Sequence, residues 1–321
     1  IKKPTLCQPG YSASGMTSLS LPLLALAAIV GPGLSGRRGG QASSRRVPLA
    51  AWFDPATGAI VNDAIARLAR HAVVLLGETH DDAEHHRWQL HTIAGLHALR
   101  PDLALGFEMF PRQAQPVLAR WTNGELTEAA FLAQVEWERV WGIDPALYLP
   151  LFHFARMHRL PMIALNIERD SQKRFAADPA VPLAEREGVG DPAPATAAYR
   201  ARLLPWFRQG PMGGPDMDAD SPRFARFVRA QQFWDRAMAE AIVALRDGRL
   251  VVGIMGSGHV AYRDGVAFQL AALGVRDVAT ALPWPADAEV PTDDPAIADL
   301  LFGVTANGSN AARVPVDAPA D

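Results

Sequence analysis

Residues 73 to 81 read Val-Val-Leu-Leu-Gly-Glu-Thr-His-Asp. Four apolar residues, half of them β-branched, run without alternation into a glycine and then into a carboxylate, a hydroxyl, an imidazole and a second carboxylate. An unbroken apolar run of this kind fits a strand covered on both faces, as in a parallel sheet, and such sheets place ligands beyond the carboxyl ends of their strands. The plain alternative is a β-to-α turn in which Asp81 or Asp82 caps the next helix. Three later segments end the same way: Leu103-Ala-Leu-Gly-Phe-Glu-Met-Phe, carrying Glu108; Pro161-Met-Ile-Ala-Leu-Asn166; and Leu250-Val-Val-Gly-Ile-Met-Gly-Ser-Gly-His259. The repetition favours a shared site. The expected fold is α/β, a largely parallel central sheet flanked by helices, with Glu78, His80, Glu108, Asn166 and His259 converging at the carboxyl ends of its strands.

Helical periodicity fills the intervals. A short helix over Asp63 to Arg70 leads into the first strand, and one from about Ala83 to Leu99 follows it, with Glu84 near its start and Arg100-Pro101 stopping it. His85 and His86 lie in its first turn, beside the rim where Glu78 and His80 emerge. Further helices are expected near Gln113 to Trp121, Thr127 to Trp141 and Leu147 to Arg159, the last carrying Tyr148, Phe152, His153 and Met157. Trp137 and Trp141 stand one turn apart, a spacing that suits core packing as well as a cofactor platform. The longest helix, Phe224 to Leu245, has an inward stripe of Phe224, Phe227, Val228, Gln231, Asp235, Met238, Ile242 and Leu245. Gln231 and Asp235 interrupt an apolar face, and a buried polar side chain without a partner costs roughly 1 to 3 kcal/mol, so both should meet polar groups of the site. A helix over Gly265 to Leu273 and a strand near Asp277 to Leu282 complete the sheet.

The chain has 321 residues, 49% hydrophobic and 20% charged, enough for one large core. Its net charge of −3 and scattered arginines leave no electrostatic footprint for nucleic acid. The single cysteine, Cys7, excludes an intramolecular disulfide and a cysteine-rich zinc site. Residues 1 to 50 read as a leader and linker: Leu19 to Val30 has the length of a signal-peptide core, with Lys2 and Lys3 before it, and Arg37 to Pro48 is rich in Gly, Ser and Arg. Export to the periplasm or cell envelope is the expectation, without a lipid anchor, since the cysteine precedes the apolar run. One domain is expected over 51 to 284. Within it the Pro, Gly and Ala texture of 176 to 221 suggests a lid-like insertion, and 285 to 321 reads as a disordered tail.

Two glutamates and two histidines at strand ends suit a divalent metal or general acid–base work on a bound water. Each has a plainer reading: Glu78 as a cap, Glu108 paired with an arginine, His259 satisfied within a turn. No compact ligand motif marks a metal. Taken in order, Gly77-Glu-Thr-His-Asp81 with His85 and His86, Gly106-Phe-Glu-Met-Phe110 with Gln113 and Gln115, Trp141-Gly142, Ala164-Leu-Asn166 and Gly256-Ser-Gly-His-Val260 resemble the ChaN-type haem-binding proteins. These are grouped with the Tiki/TraB metalloproteases and the erythromycin esterases, and the resemblance covers about Ala51 to Leu282.

The resemblance implies an α/β fold, haem as cofactor, iron-regulated haem uptake at the bacterial cell envelope with partners there, and a homodimer enclosing two stacked haems. It also implies that Glu78, His80, Glu108 and His259 match the positions where hydrolytic relatives keep catalytic or metal-binding groups. Tyr148, Tyr262 and the histidines are the candidate iron ligands, since haem iron takes Tyr or His. Met109, Trp141, Asn166, Gln231 and Asp235 are candidate contacts of the cofactor. A hydrolase using the Glu/His rim is the alternative to haem binding.

Overall fold

The computed structural model describes residues 45–210, 213–214, 216–286, 288–290 and 297–305. The expected leader lies outside these residues up to residue 44, and the expected tail lies outside them over 291–296 and from 306 onward. The strands are β1 (Trp52–Asp54), β2 (Ala59–Ile60), β3 (Val73–Glu78), β4 (Ala104–Pro111), β5 (Met162–Asn166), β6 (Val251–Gly256), β7 (Val278–Pro285) and β8 (Leu300–Val304). They form one sheet in the order β2-β1-β8-β7-β3-β6-β4-β5. Every pairing from β8 through β5 is parallel, and β1 and β2 add an antiparallel edge.

β3 runs near the middle of the sheet, and its residues alternate between two cores. Val74 and Leu76 belong to one apolar cluster, Val73 and Leu75 to the other, and all four are fully buried. This is why the sequence shows a continuous apolar run: both faces of the pleat are covered, so neither phase of the alternation meets water. The first face is covered by α1 (Ala64–Leu68), α2 (Ala83–Leu99), α3 (Gln115–Thr122), α4 (Glu128–Gln134), α5 (Trp137–Val140) and α6 (Leu149–Met157). On the other face lie α9 (Pro222–Leu245), α10 (Ser257–Val260) and α11 (Val266–Ala272). Between β5 and α9 come α7 (Arg169–Ala177) and α8 (Ala197–Gln209).

Several elements depart from the expectations. β4 runs four residues beyond Phe107, so Glu108, Met109 and Phe110 lie within a buried strand rather than in a turn. The helix expected over Thr127 to Trp141 breaks into α4 and α5 at Glu136, whose φ of 52° lies in the left-handed region. Leu245, expected on the inward stripe of α9, is 41% exposed, because the helix ends there, past the sheet. The stretch beyond Pro285 is not wholly a tail: β8 pairs in parallel with β7 and antiparallel with β1, and Leu301 is fully buried. In the 176–221 region α8 has its own small core, Tyr199, Leu203 and Phe207 packing against Phe224, Phe227 and Val228 of α9.

Candidate functional site

Each strand end delivers one polar group to the same place. Glu78 is the last residue of β3 and is fully buried. Gly77 before it is required by space, because a Cβ there would lie 2.3 Å from a Leu282 methyl and 3.1 Å from the Ser257 backbone. One Glu78 oxygen accepts the Tyr148 hydroxyl at 2.6 Å and faces His80 Nδ1 at 2.8 Å. The other accepts the Gln89 amide at 2.9 Å and lies 3.4 Å from His86 Nδ1. His86 turns its second nitrogen to the His80 carbonyl at 3.0 Å. His85 faces elsewhere, accepting the Thr79 N–H at 2.8 Å, while Asp82 caps α2 by accepting from Glu84 N at 2.9 Å.

The second half of the network comes from β4, β6 and α9. Glu108 accepts the Gly256 N–H at 2.7 Å with one oxygen, and its other oxygen lies 3.5 Å from His259 Nε2. His259, placed by α10 directly after β6, turns Nδ1 to Asp235 at 2.6 Å. Asp235 accepts the Tyr199 hydroxyl from α8 at 2.7 Å with its remaining oxygen. Asn166, at the end of β5, donates to the Glu108 carbonyl at 2.8 Å.

Electrostatics join the halves. Burial would raise the Glu78 carboxyl, but His86, the bond to His80 and the Tyr148 hydroxyl outweigh it and hold it at about 2. Burial opposes the charge on His259, yet Glu108 and Asp235 on either side raise the imidazole to about 10. His80 is also raised against burial, by its bond to Glu78 and by the charge of Glu108. Glu108 is lowered, chiefly by His259 working against burial. Burial keeps Asp235 raised despite His259 and Tyr199, and the phenols of Tyr148 and Tyr199 are pushed well above their ordinary range by burial and by the carboxylates they face. The result is two carboxylates and an imidazolium held out of water, an arrangement able to give and take protons.

Glu78, His80, Glu108 and His259 therefore come together, with Asp235 in direct contact. The set is a chain of hydrogen-bonded pairs rather than a cage. Among the described residues no group of three or more His, Cys, Asp or Glu side chains is arranged to hold a metal ion. Both Glu78 oxygens and one of Glu108 are already engaged by donors, so the donor set does not fit a divalent metal.

The expected haem contacts divide. Tyr148 and Met109 are sealed in the core, Gln231 and Asp235 are buried on α9, and Asn166 and Tyr262 are partly exposed, Tyr262 on a turn where its φ of 59° is left-handed and beneath the Arg202 guanidinium. Trp141 and Asn166 line a cleft of about 210 Å³ between the ends of β4 and β5, α5, α7 and α9. Trp141 packs edge-on against His80 at 4.8 Å, and Trp234, also lining the cleft, lies 5.2 Å from His259. Trp141 and Trp234 thus stand between the cleft and the network. A larger groove of about 660 Å³ lies away from it, walled by Leu90, Pro150, Phe154 and Met157, with His153, Arg156 and Arg159 on its rim.

Gln89, Tyr199 and Trp234 join the site without being marked by the strand-end pattern. Gln89 follows His86 by three residues on one helix face, a spacing that could have marked it. Tyr199 and Trp234 carry no such local signal, because their roles arise only when α8 and α9 pack together.

The family and structural comparisons agree with this geometry at the level of the fold. A sequence-family model described as haem-binding uptake, Tiki superfamily, ChaN, matches residues 64–270. No curated protein matches the chain. Among solved structures, ChaN of Campylobacter jejuni, described as binding haem cofacially, superposes with a TM-score of 0.62 at 17% identity, covering 78% of this chain and 95% of that one. Looser likenesses are the type III effector HopBA1, with a TM-score of 0.46 at 11% identity over 83% and 99% of the two chains, and the erythromycin esterase mutant EreC in its open conformation, with 0.42 at 12% over 72% and 76%.

Proposed function

The chain belongs to the family of haem-binding uptake proteins of the Tiki superfamily, ChaN type, and from that membership we propose that it binds haem in the service of bacterial haem uptake. The family match over residues 64–270 is the observation that carries this reading. Tyr148 is a poor iron ligand here, because its hydroxyl is fully buried and given to Glu78. The 660 Å³ groove is the alternative: its size lies in the range of cofactor pockets, and Leu90, Pro150, Phe154 and Met157 give it an apolar wall beside Thr122 and Asn123. It offers the Met157 thioether and the His153 imidazole, which haem would take over from Glu128 at 2.8 Å, with Arg159 beside it for a propionate while Arg156 donates to the Leu126 and Gly124 carbonyls. His153 is the residue that would hold the iron of a haem bound there, and Tyr262, outside the groove, is the competing candidate. The reading extends to an exported protein acting in the cell envelope as a homodimer.

Haemin titration followed by absorbance tests it. A saturable spectral change is expected, strongly weakened by His153→Ala and retained by Tyr262→Phe. The opposite pattern would move the site to Tyr262, and no saturable change in the parent protein would end the haem reading. Fractionation of expressing cells and light scattering with and without haemin check export and dimerisation.

A second reading, a Glu/His-dependent hydrolase working at the carboxyl ends of the strands, is favoured by one observation. The buried network lies beneath a cleft, and Trp141 and Trp234 touch both. In this reading His80 and His259 handle the protons, Glu78 and Glu108 fix their orientation, and Glu78→Gln and His259→Ala abolish ester or amide cleavage. Absence of any cleavage over a panel of esters and amides removes it.

A further inference from the structure

The 210 Å³ cleft is formed unlike the rest of the surface. One wall is the first turn of α7, and three cationic side chains, Arg139, Arg169 and Lys173, face it. Arg139 is held by Glu136 at 2.7 Å and reaches Glu168 at 3.4 Å, and Lys173 lies 3.5 Å from Asp170. Arg169 is different. Among the described residues it has no carboxylate within ion-pair distance, and its one hydrogen bond is a long one, 3.4 Å, to the Val140 carbonyl. Its guanidinium is depressed below its ordinary value by burial and by the like charge of Arg139, only partly offset by Glu168. Two guanidinium groups held near each other on the wall of a cleft are an unfavourable arrangement that an anion between them relieves.

Glu168 and Asp170 also line the cleft, as the partners of Arg139 and Lys173, and leave Arg169 as the cation there without one among the described residues. The indole N–H of Trp234 is buried and has no hydrogen-bond partner among the described residues. Buried donors left in this state are uncommon and call for an acceptor.

We propose that this cleft is an anion subsite, taking a carboxylate or phosphate group against Arg169 and Arg139 with the indole N–H of Trp234 as a further donor. Its volume is below the roughly 300 Å³ at which drug-sized pockets begin, so it admits the anionic end of a ligand or a small acid rather than a whole porphyrin. The carboxylate is either that of a separate small anion or a propionate of a haem seated at this cleft instead of in the larger groove. The cleft takes its anion whether or not haem binds elsewhere on the chain. Trp141 and Trp234 separate it from His80 and His259, so a ligand anchored there rests against the two indoles that pack on the buried network.

Inorganic phosphate and acetate are the probes, titrated into the full chain at constant ionic strength with chloride as the balancing ion, and read by tryptophan fluorescence and calorimetry. A saturable response is expected, weakened about tenfold or more by Arg169→Gln, as befits loss of a charge-assisted contact. Arg169→Lys, which keeps the charge but loses the planar fork, should weaken it several-fold and serves if the glutamine variant does not fold. Haemin and its dimethyl ester separate the sources. If a propionate occupies the cleft, Arg169→Gln weakens haemin but not the ester; if a separate anion does, phosphate binds without displacing haemin. Should haemin fail to bind while the Arg169-dependent anion response is present, the haem reading falls and the anion subsite stands. No saturable response to either anion in the parent, or an unchanged response in folded Arg169→Gln, overturns it.

Discussion

Glu78 shows how much one residue can be asked to do. It accepts from Tyr148 and Gln89 and faces two imidazoles, all without access to water. Removing one partner from a buried charged network leaves the others desolvated and uncompensated, typically a loss of about 3 to 5 kcal/mol. Glu78→Gln keeps the shape and the acceptor for Tyr148 but puts an amide where His80 or Gln89 donates. Urea unfolding should therefore show a loss of about 3 kcal/mol, near the low end of that range. A loss below about 0.5 kcal/mol, the range of ordinary surface changes, would mean the network relaxes around a neutral residue. The convergence of Glu78, Glu108 and His259 was legible because each ends or closely follows an apolar run, and parallel strands carry such residues to one rim. Asp235 was legible as a polar intruder in an apolar stripe. The Tyr148 contact was not: its sequence neighbours place it on a helix, but only packing against β3 turns its hydroxyl to Glu78.

At the scale of elements, the sheet interior could be read from the sequence and its edge could not. β3, β5 and β6 are unbroken apolar runs because helices cover them on both sides, and a covered parallel strand is the structure that such short runs fit best. β8 is five residues among prolines and aspartates, a composition that reads as a tail, yet it supplies the parallel partner of β7 and the link to the β1–β2 edge. Leu301, fully buried there, joins the same core as Val73 and Leu75. Leu301→Ala should cost about 2 to 5 kcal/mol by thermal or denaturant unfolding, whereas a true tail residue would cost almost nothing. α8 poses the reverse question. It rests on a small core and on contacts such as Tyr199 to Asp235 and Arg202 to Asp264, so it is docked but not deeply buried. Its amides should exchange faster than those of β3 in native-state hydrogen exchange, and Tyr199→Phe should speed them further. Equal protection of the two elements would make α8 part of the rigid body rather than a lid.

For the whole molecule, the buried network ties stability to pH with a definite sign. Glu78 falls from 4.5 to about 2 on folding, so its contribution is complete above pH 4.5 and is lost as the pH drops toward 2. Glu108 is lowered too and acts in the same direction. His259 rises from 6.5 to about 10, so its contribution is complete below pH 6.5 and is lost as the pH climbs toward 10, with the raised His80 reinforcing it. Asp235 opposes the acid limb, since its raised carboxyl favours the folded state only where it is protonated, and it therefore tilts the plateau without moving the alkaline edge. The two main effects are both complete only between pH 4.5 and 6.5. The thermal midpoint, followed by circular dichroism, should peak in that window and decline steadily on the alkaline side. In His259→Gln the parent should lose its advantage chiefly above pH 6.5, leaving a flatter alkaline limb. A parent midpoint that stays level from pH 6.5 to 10 would show that His259 is not held as a cation between Glu108 and Asp235, and with it would go the proton-carrying network on which the hydrolase reading rests.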